Sequence, residues 1–206
     1  MNLRIPTIIF VALALATAVF GQAIPGSPPD AFQVRYAANL ISAGDAVINI
    51  SNSGTQNVAG LLTNICANVY AFSPDEQLIS CCSCTVTPNA LVSLSANTDL
   101  TSNTLTPARP NSIMVKLVAS AGGACNAAQV PAANLAPGMV AWATTIHVPL
   151  ATQPPFAVTE TAFTQTGLSA AELLRLTSFC GFIQANGSGF GICRSCRLGG
   201  QGAVKQ

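Results

Sequence analysis

The chain has 206 residues, half of them hydrophobic and only 7% charged, with eight Lys or Arg against seven Asp or Glu. An ordinary soluble domain is about 25% charged. So little charge, with no basic run and no acidic tail, excludes electrostatic attraction to nucleic acid or anionic lipid, and it leaves a surface of Ser, Thr, Asn and Gln that is prone to associate.

The first residues read as an export signal, with Arg4 as the positive region, Ile8 to Phe20 as an apolar run shorter than a bilayer span, and small residues before a cleavage point after Ala23. Loss of residues 1–23 takes Arg4 with it and leaves the mature chain formally neutral. Residues 24–33 are rich in Pro, Gly and Ser, which predicts an extended, mobile lead-in. Residues 34–166 are expected to form a β-sandwich domain, and 167–206 a helix plus a cysteine-rich tail packed on it. No cofactor is called for.

Strands are predicted at Phe32 to Asn39 and, by period-two alternation, at Asp45 to Ser51, closed by the turn residues Asn52-Ser53-Gly54. Alternation over Ile65 to Phe72, the turn Ser73-Pro74-Asp75-Glu76 and a second run over Gln77 to Val86 predict a β-hairpin. Ala90 to Ala96 and Ile113 to Ala119 follow as short strands, with Lys116 expected at an edge. Between them lies the loop 97–111. Another long loop, 120–137, carries Cys125 and calls for a pin. Met139 to Val148 alternates so that Trp142 is expected to face the core, and Phe156 to Thr164 is its partner. One helix is signalled by the capping box Ser169/Glu172 and by Leu173, Leu176, Cys180 and Ile183 on one face, ending near Ala185. The sum is a mainly β protein: an antiparallel sandwich of immunoglobulin-like or jelly-roll style, with one C-terminal helix and a disulfide-stapled tail.

Eight cysteines in an exported chain read as structural disulfides: Cys66, Cys81, Cys82, Cys84, Cys125, Cys180, Cys193 and Cys196. If Phe72 faces Gln77, Cys66 lies opposite Ser83 and diagonal to Cys81, with Cys82 and Cys84 on the other face. A slipped register puts Cys66 opposite Cys82. Cys66 is therefore expected to bond Cys81 or Cys82. The rest of the triplet is left to reach Cys125 and the tail, with a further bond inside the tail from Cys180 to Cys193 or Cys196.

Two competing chemistries use the same residues, and a third would use His147. Cys193-Arg194-Ser195-Cys196 has redox-motif spacing, but it sits in a Gly-rich tail rather than at the start of a helix in a βαβ unit. The two cysteine groups could ligate zinc as thiolates, against which an oxidising compartment argues. His147, the only histidine, has no recognised acid or nucleophile in its flanks. Asp75-Glu76 reads as a solvated turn. Asn49-Ile50-Ser51 and Asn186-Gly187-Ser188 match the N-glycosylation pattern. No residue is assigned a catalytic, cofactor-binding or metal-binding role.

Several stretches are similar to a family of exported, cysteine-rich bacterial proteins of unknown function. They are Asn64-Ile65-Cys66 with Asn68 to Phe72, Cys81-Cys82-Ser83-Cys84-Thr85-Val86-Thr87-Pro88, Thr104 to Pro107, and Cys180 to Gly189 closing on Gly191 to Cys196. The resemblance implies export and a shared cysteine framework, and it carries over no site residues. The expectation is a non-enzymatic surface or envelope interaction module, at the cell surface, outside the cell or in the periplasm. Its partner is itself, an envelope component or a glycan. A secreted hydrolase or thiol-redox enzyme, and an assembling filament or coat subunit, are the alternatives.

Overall fold

The computed structural model describes residues 21–40, 44–102, 108–121, 123–147, 157–187 and 191–197. The run expected to be an export signal, Thr104 to Pro107, residues 148–156, Ser188 and the last nine residues lie outside them.

The fold is mostly β, with two antiparallel sheets face to face. One is six-stranded, and its order is β11 (Thr164–Gln165), β1 (Phe32–Ala37), β8 (Ile113–Ala121), β5 (Ile65–Phe72), β6 (Leu78–Val86), β12 (Gly191–Ile192). The other is four-stranded, in the order β10 (Ala157–Ala162), β9 (Met139–His147), β2 (Asp45–Asn52), β7 (Leu91–Ser95). A two-stranded hairpin, β3 (Asn57–Val58) with β4 (Leu61–Leu62), stands apart, turning through Ala59 and Gly60, both at positive φ. Among the described strands the single departure from antiparallel pairing is β12, which runs parallel to β6. The helix α1 (Ala170–Ala185) covers the outer face of the six-stranded sheet.

Alternation explains the layers. On β5, Ala67, Val69 and Ala71 point between the sheets to meet Ile48, Ile50 and Leu94 of the facing sheet. Tyr70 and Phe72 point the other way, into a second core closed by Leu173, Leu176, Cys180 and Ile183 of α1. Covered on both faces, all eight residues of β5 are buried. The helix is the one predicted. Ser169 accepts the Glu172 N–H as its cap, while the Glu172 carboxylate turns to Lys116 and Arg175 instead of closing the capping box.

Three local expectations are corrected. Residues 24–33 are not a free lead-in: the Ile24 N–H donates to Leu168 O at 2.8 Å, and Ala31, Phe32 and Gln33 are buried. Lys116 is not at an edge, because β8 lies between β1 and β5, and it reaches over the outer face to Glu172. Trp142 does not face the core. The alternation of β9 is as read, but its phase is the reverse: Met139, Ala141 and Ala143 point inward and Val140 is exposed on the side of Trp142. The inward positions opposite Ile50 and Ile48 are Ala141 and Ala143, so isoleucines from β2 fill space that the tryptophan would otherwise need.

Candidate functional site

The eight predicted cysteines form four disulfides, Cys66–Cys125, Cys81–Cys180, Cys82–Cys193 and Cys84–Cys196, and none is free. The pairing differs from the expectation for a local reason. The hairpin turn brings Phe72 opposite Leu78 rather than Gln77, and a bulge at Ile79 then makes Ala71 face Ser80. Each change shifts the register by one residue. Two shifts restore the parity, so the face assignment survives while every partner moves by two positions. Cys66 stands opposite Thr85, beyond reach of the triplet, and bonds Cys125, whose sulfur lies 3.2 Å from Thr85 Oγ1. That bond pins the 120–137 loop.

All three triplet cysteines go to the C-terminal region, and no bond forms within the tail. Cys81, on the outer face with Tyr70, joins α1 through Cys180, with Cα atoms 5.7 Å apart. Cys82 and Cys84, on the inner face, reach Cys193 and Cys196, with Cα separations of 4.8 and 5.7 Å. The tail thereby completes the β6 edge: Gly191 and Ile192 pair with Cys82 and Ser83, and the Cys193 N–H donates to Ser83 O at 3.1 Å. The one-turn helix α2 (Arg194–Arg197) follows, beside β7 of the other sheet. A buried carboxylate holds it there. Asp99 accepts the Ser195 N–H at 2.7 Å and the Ser195 hydroxyl at 2.8 Å.

The thiol-based chemistries find their sulfurs already bonded. Cys84, Cys193 and Cys196 place their sulfurs within 4.8 Å of one another. This clustering follows from two neighbouring disulfides leaving the same face of β6. The Cys193-x-x-Cys196 motif does open a helical turn, which the sequence did not signal, but each cysteine is bonded to β6 rather than to the other.

His147 lies at the end of β9, with Nδ1 3.1 Å from Asn39 Nδ2 and Nε2 2.9 Å from Thr159 Oγ1. The Asn39 amide nitrogen and the Thr159 hydroxyl hold the two ring nitrogens between them. No carboxylate is among its hydrogen-bond partners in the described residues. Asp75 and Glu76 lie in the turn after β5, with Asp75 bonded by the Ser73 hydroxyl, and both are exposed.

A groove of about 630 Å³ runs beside α1, its wall including Tyr36, Phe72, Met114, Lys116 and Arg175. Lys116 and Arg175 both stand over the Phe72 ring, 5.1 and 5.5 Å from its centre, and both bond Glu172. Burial works to raise the Glu172 pKa, but the hydrogen bonds and charges of Arg175 and Lys116 outweigh it, so the carboxyl is held below its ordinary value. The two cations are thus occupied by one carboxylate.

The outer face of the four-stranded sheet is organised differently. One polar side chain from each strand joins a continuous chain: the Ser93 hydroxyl donates to Asn49 Oδ1 at 2.7 Å, Asn49 Nδ2 to Thr144 Oγ1 at 3.0 Å, and the Thr144 hydroxyl to Glu160 Oε1 at 3.2 Å. Trp142 stands in this face, in the same row as Asn49 and Ser93. Asn49 is only 8% exposed and bonded on both amide atoms, so the first glycosylation motif is folded into the sheet. The sequence hides this row because its members are spread over residues 49 to 160 and the size of Trp142 argues for the core.

No family model, curated protein or solved structure matches this chain.

Proposed function

We propose that this chain is an exported, non-enzymatic interaction module working at a cell surface or envelope; the resemblance to exported cysteine-rich proteins supports export and the cysteine framework alone. The observation that carries the reading is the fate of the cysteines: four disulfides, three of them tying α1 and the tail to β6. Such bonds persist in oxidising compartments outside the cytosol. By restricting the unfolded chain they contribute ~2–4 kcal/mol each, which suits a fold with long loops. No described helix is long and apolar enough to cross a membrane.

A surface for partners supports the same reading. Val58, Leu61 and Leu62 on the β3–β4 hairpin are each more than half exposed, as are Leu174 and Phe182 on α1. Exposed apolar clusters on a neutral protein favour association over isolation. The assembling-subunit alternative has its own support, since β10 ends its sheet with an outer edge that no described strand pairs. The hydrolase alternative has only the contact between His147 and the Thr159 hydroxyl.

Two measurements on the exported protein test the proposal: retention on isolated envelope or cell-wall fractions, and mass in solution by light scattering. Retention, or a concentration-dependent dimer, is expected. A strict monomer retained by nothing, or a hydrolytic activity abolished in His147→Ala, overturns it.

A further inference from the structure

We propose that the outer face of the four-stranded sheet is a binding site for a neutral glycan, with Trp142 as the stacking platform, Glu160 as the acceptor for a sugar hydroxyl, and the bonded row of Ser93, Asn49 and Thr144 holding it in place. This deepens the interaction-module reading and rests on it.

The face has the two kinds of surface that a sugar ring has. A pyranose presents C–H groups on its faces, which stack on an aromatic ring, and hydroxyls around its rim, which need both donors and acceptors. Trp142 lies on the outward side of β9, and its indole N–H donates to no described group. It is flanked along the strand by Val140, which is 49% exposed, and Leu91, in the Val140 row two strands away, is 48% exposed. Solvent-facing sides of antiparallel sheets are ordinarily polar, so an outward tryptophan with an exposed valine beside it and an exposed leucine in the next row is a departure that calls for a partner.

The polar row supplies the rest. Glu160 accepts one hydrogen bond from Thr144 at Oε1, leaving Oε2 with no described partner. A carboxylate is the stronger acceptor for a sugar hydroxyl. The chain from Ser93 through Asn49 to Thr144 holds these side chains in place before a ligand arrives, which lowers the ordering cost of binding. Each member comes from a different strand, so the row spans the full width of the sheet, long enough for more than one sugar ring.

Charge selects the ligand class. None of the four strands contains Lys or Arg, while Asp45 and Glu160 are both on them. A sulfated or phosphorylated polymer would meet carboxylates and no counter-charge. A neutral glycan meets no such penalty.

The single tryptophan of the chain makes the test direct. Chitotetraose, cellotetraose and laminaritetraose are titrated into the exported protein while Trp emission is followed, with heparin as the anionic control. Affinities of Trp142→Ala and Glu160→Ala are then measured by calorimetry, and their folding is checked by circular dichroism. Glu160 is exposed, so its variant keeps the site testable should Trp142→Ala unfold. The expected result is an emission change with at least one neutral oligosaccharide and none with heparin, with affinity lowered about tenfold or more in Glu160→Ala, the size of one hydrogen bond to a charged group, and lost in Trp142→Ala. Glycan binding that survives both substitutions overturns the site, and preference for heparin overturns the ligand class. Silence toward every oligosaccharide with envelope retention intact overturns the glycan inference alone. Loss of envelope retention as well overturns the module reading with it.

Discussion

Asp99 and Ser195 are 96 residues apart in sequence and joined by two hydrogen bonds, from the Ser195 N–H to Oδ1 and from its hydroxyl to Oδ2. Oδ2 also accepts the Ser95 N–H at 2.9 Å. One carboxylate, 2% exposed, therefore ties the turn after β7 to the first turn of α2 and sets the tail where Cys193 and Cys196 meet β6. Asp99→Ala strands these donors, at a cost of about 1–3 kcal/mol, and Asp99→Asn keeps one acceptor and loses less. Denaturant unfolding measures both. In Asp99→Ala, mild reductant should also release Cys196 for alkylation sooner than in the parent; unchanged stability and labelling would contradict this role.

Tyr70 is fully buried and donates to Ala127 O at 2.7 Å. Burial drives its pKa far above the ordinary phenol value. In the unfolded chain the phenol ionises near pH 10, whereas in the folded chain it stays protonated. Above that pH the unfolded state binds fewer protons, so the stability Tyr70 contributes is present below about pH 10 and declines as the pH rises further. Tyr70→Phe should lose about 1–3 kcal/mol at neutral pH, through the stranded Ala127 carbonyl, and should show a shallower alkaline decline in unfolding free energy.

Glu172 behaves in the opposite sense. Its pKa is lowered because Arg175 and Lys116 together outweigh the effect of burial. The stabilisation is therefore present above the unfolded carboxyl pKa of about 4.3 and is lost as the pH falls through the lower, folded value. The cluster is partly exposed, so Glu172→Gln should cost less than about 1 kcal/mol at neutral pH. The variant should also lose part of the parent's stability decrease below pH 4. A pH series of urea melts compares the two, and identical acid limbs would show that Glu172 is not the group responsible.

The β class, the hairpin, the helix and its buried face were legible because each rests on local periodicity or a cap. What failed was whatever depended on counting across an irregularity. A bulge at Ile79 has no signature in Leu78-Ile79-Ser80, yet it decides that Cys66 meets Thr85 and not a cysteine. Likewise, alternation fixed which residues of β9 share a face. It could not say which face is inside, because size argued for Trp142 and the facing isoleucines argued for Ala141 and Ala143. Parallel pairing of Gly191 and Ile192 with β6 was invisible for another reason: two residues carry no pattern, and disulfides place them.

The framework of the fold is a triplet on β6 that sends one disulfide outward to α1 and two inward to the tail. Peptide mapping of the protein by mass spectrometry, without reduction, tests it most directly. The account predicts no free thiol and four linkages: Cys66 to Cys125, Cys81 to Cys180, Cys82 to Cys193 and Cys84 to Cys196. Cys66 linked to Cys81 or Cys82, a bond between Cys193 and Cys196, or free thiols in the triplet would contradict it.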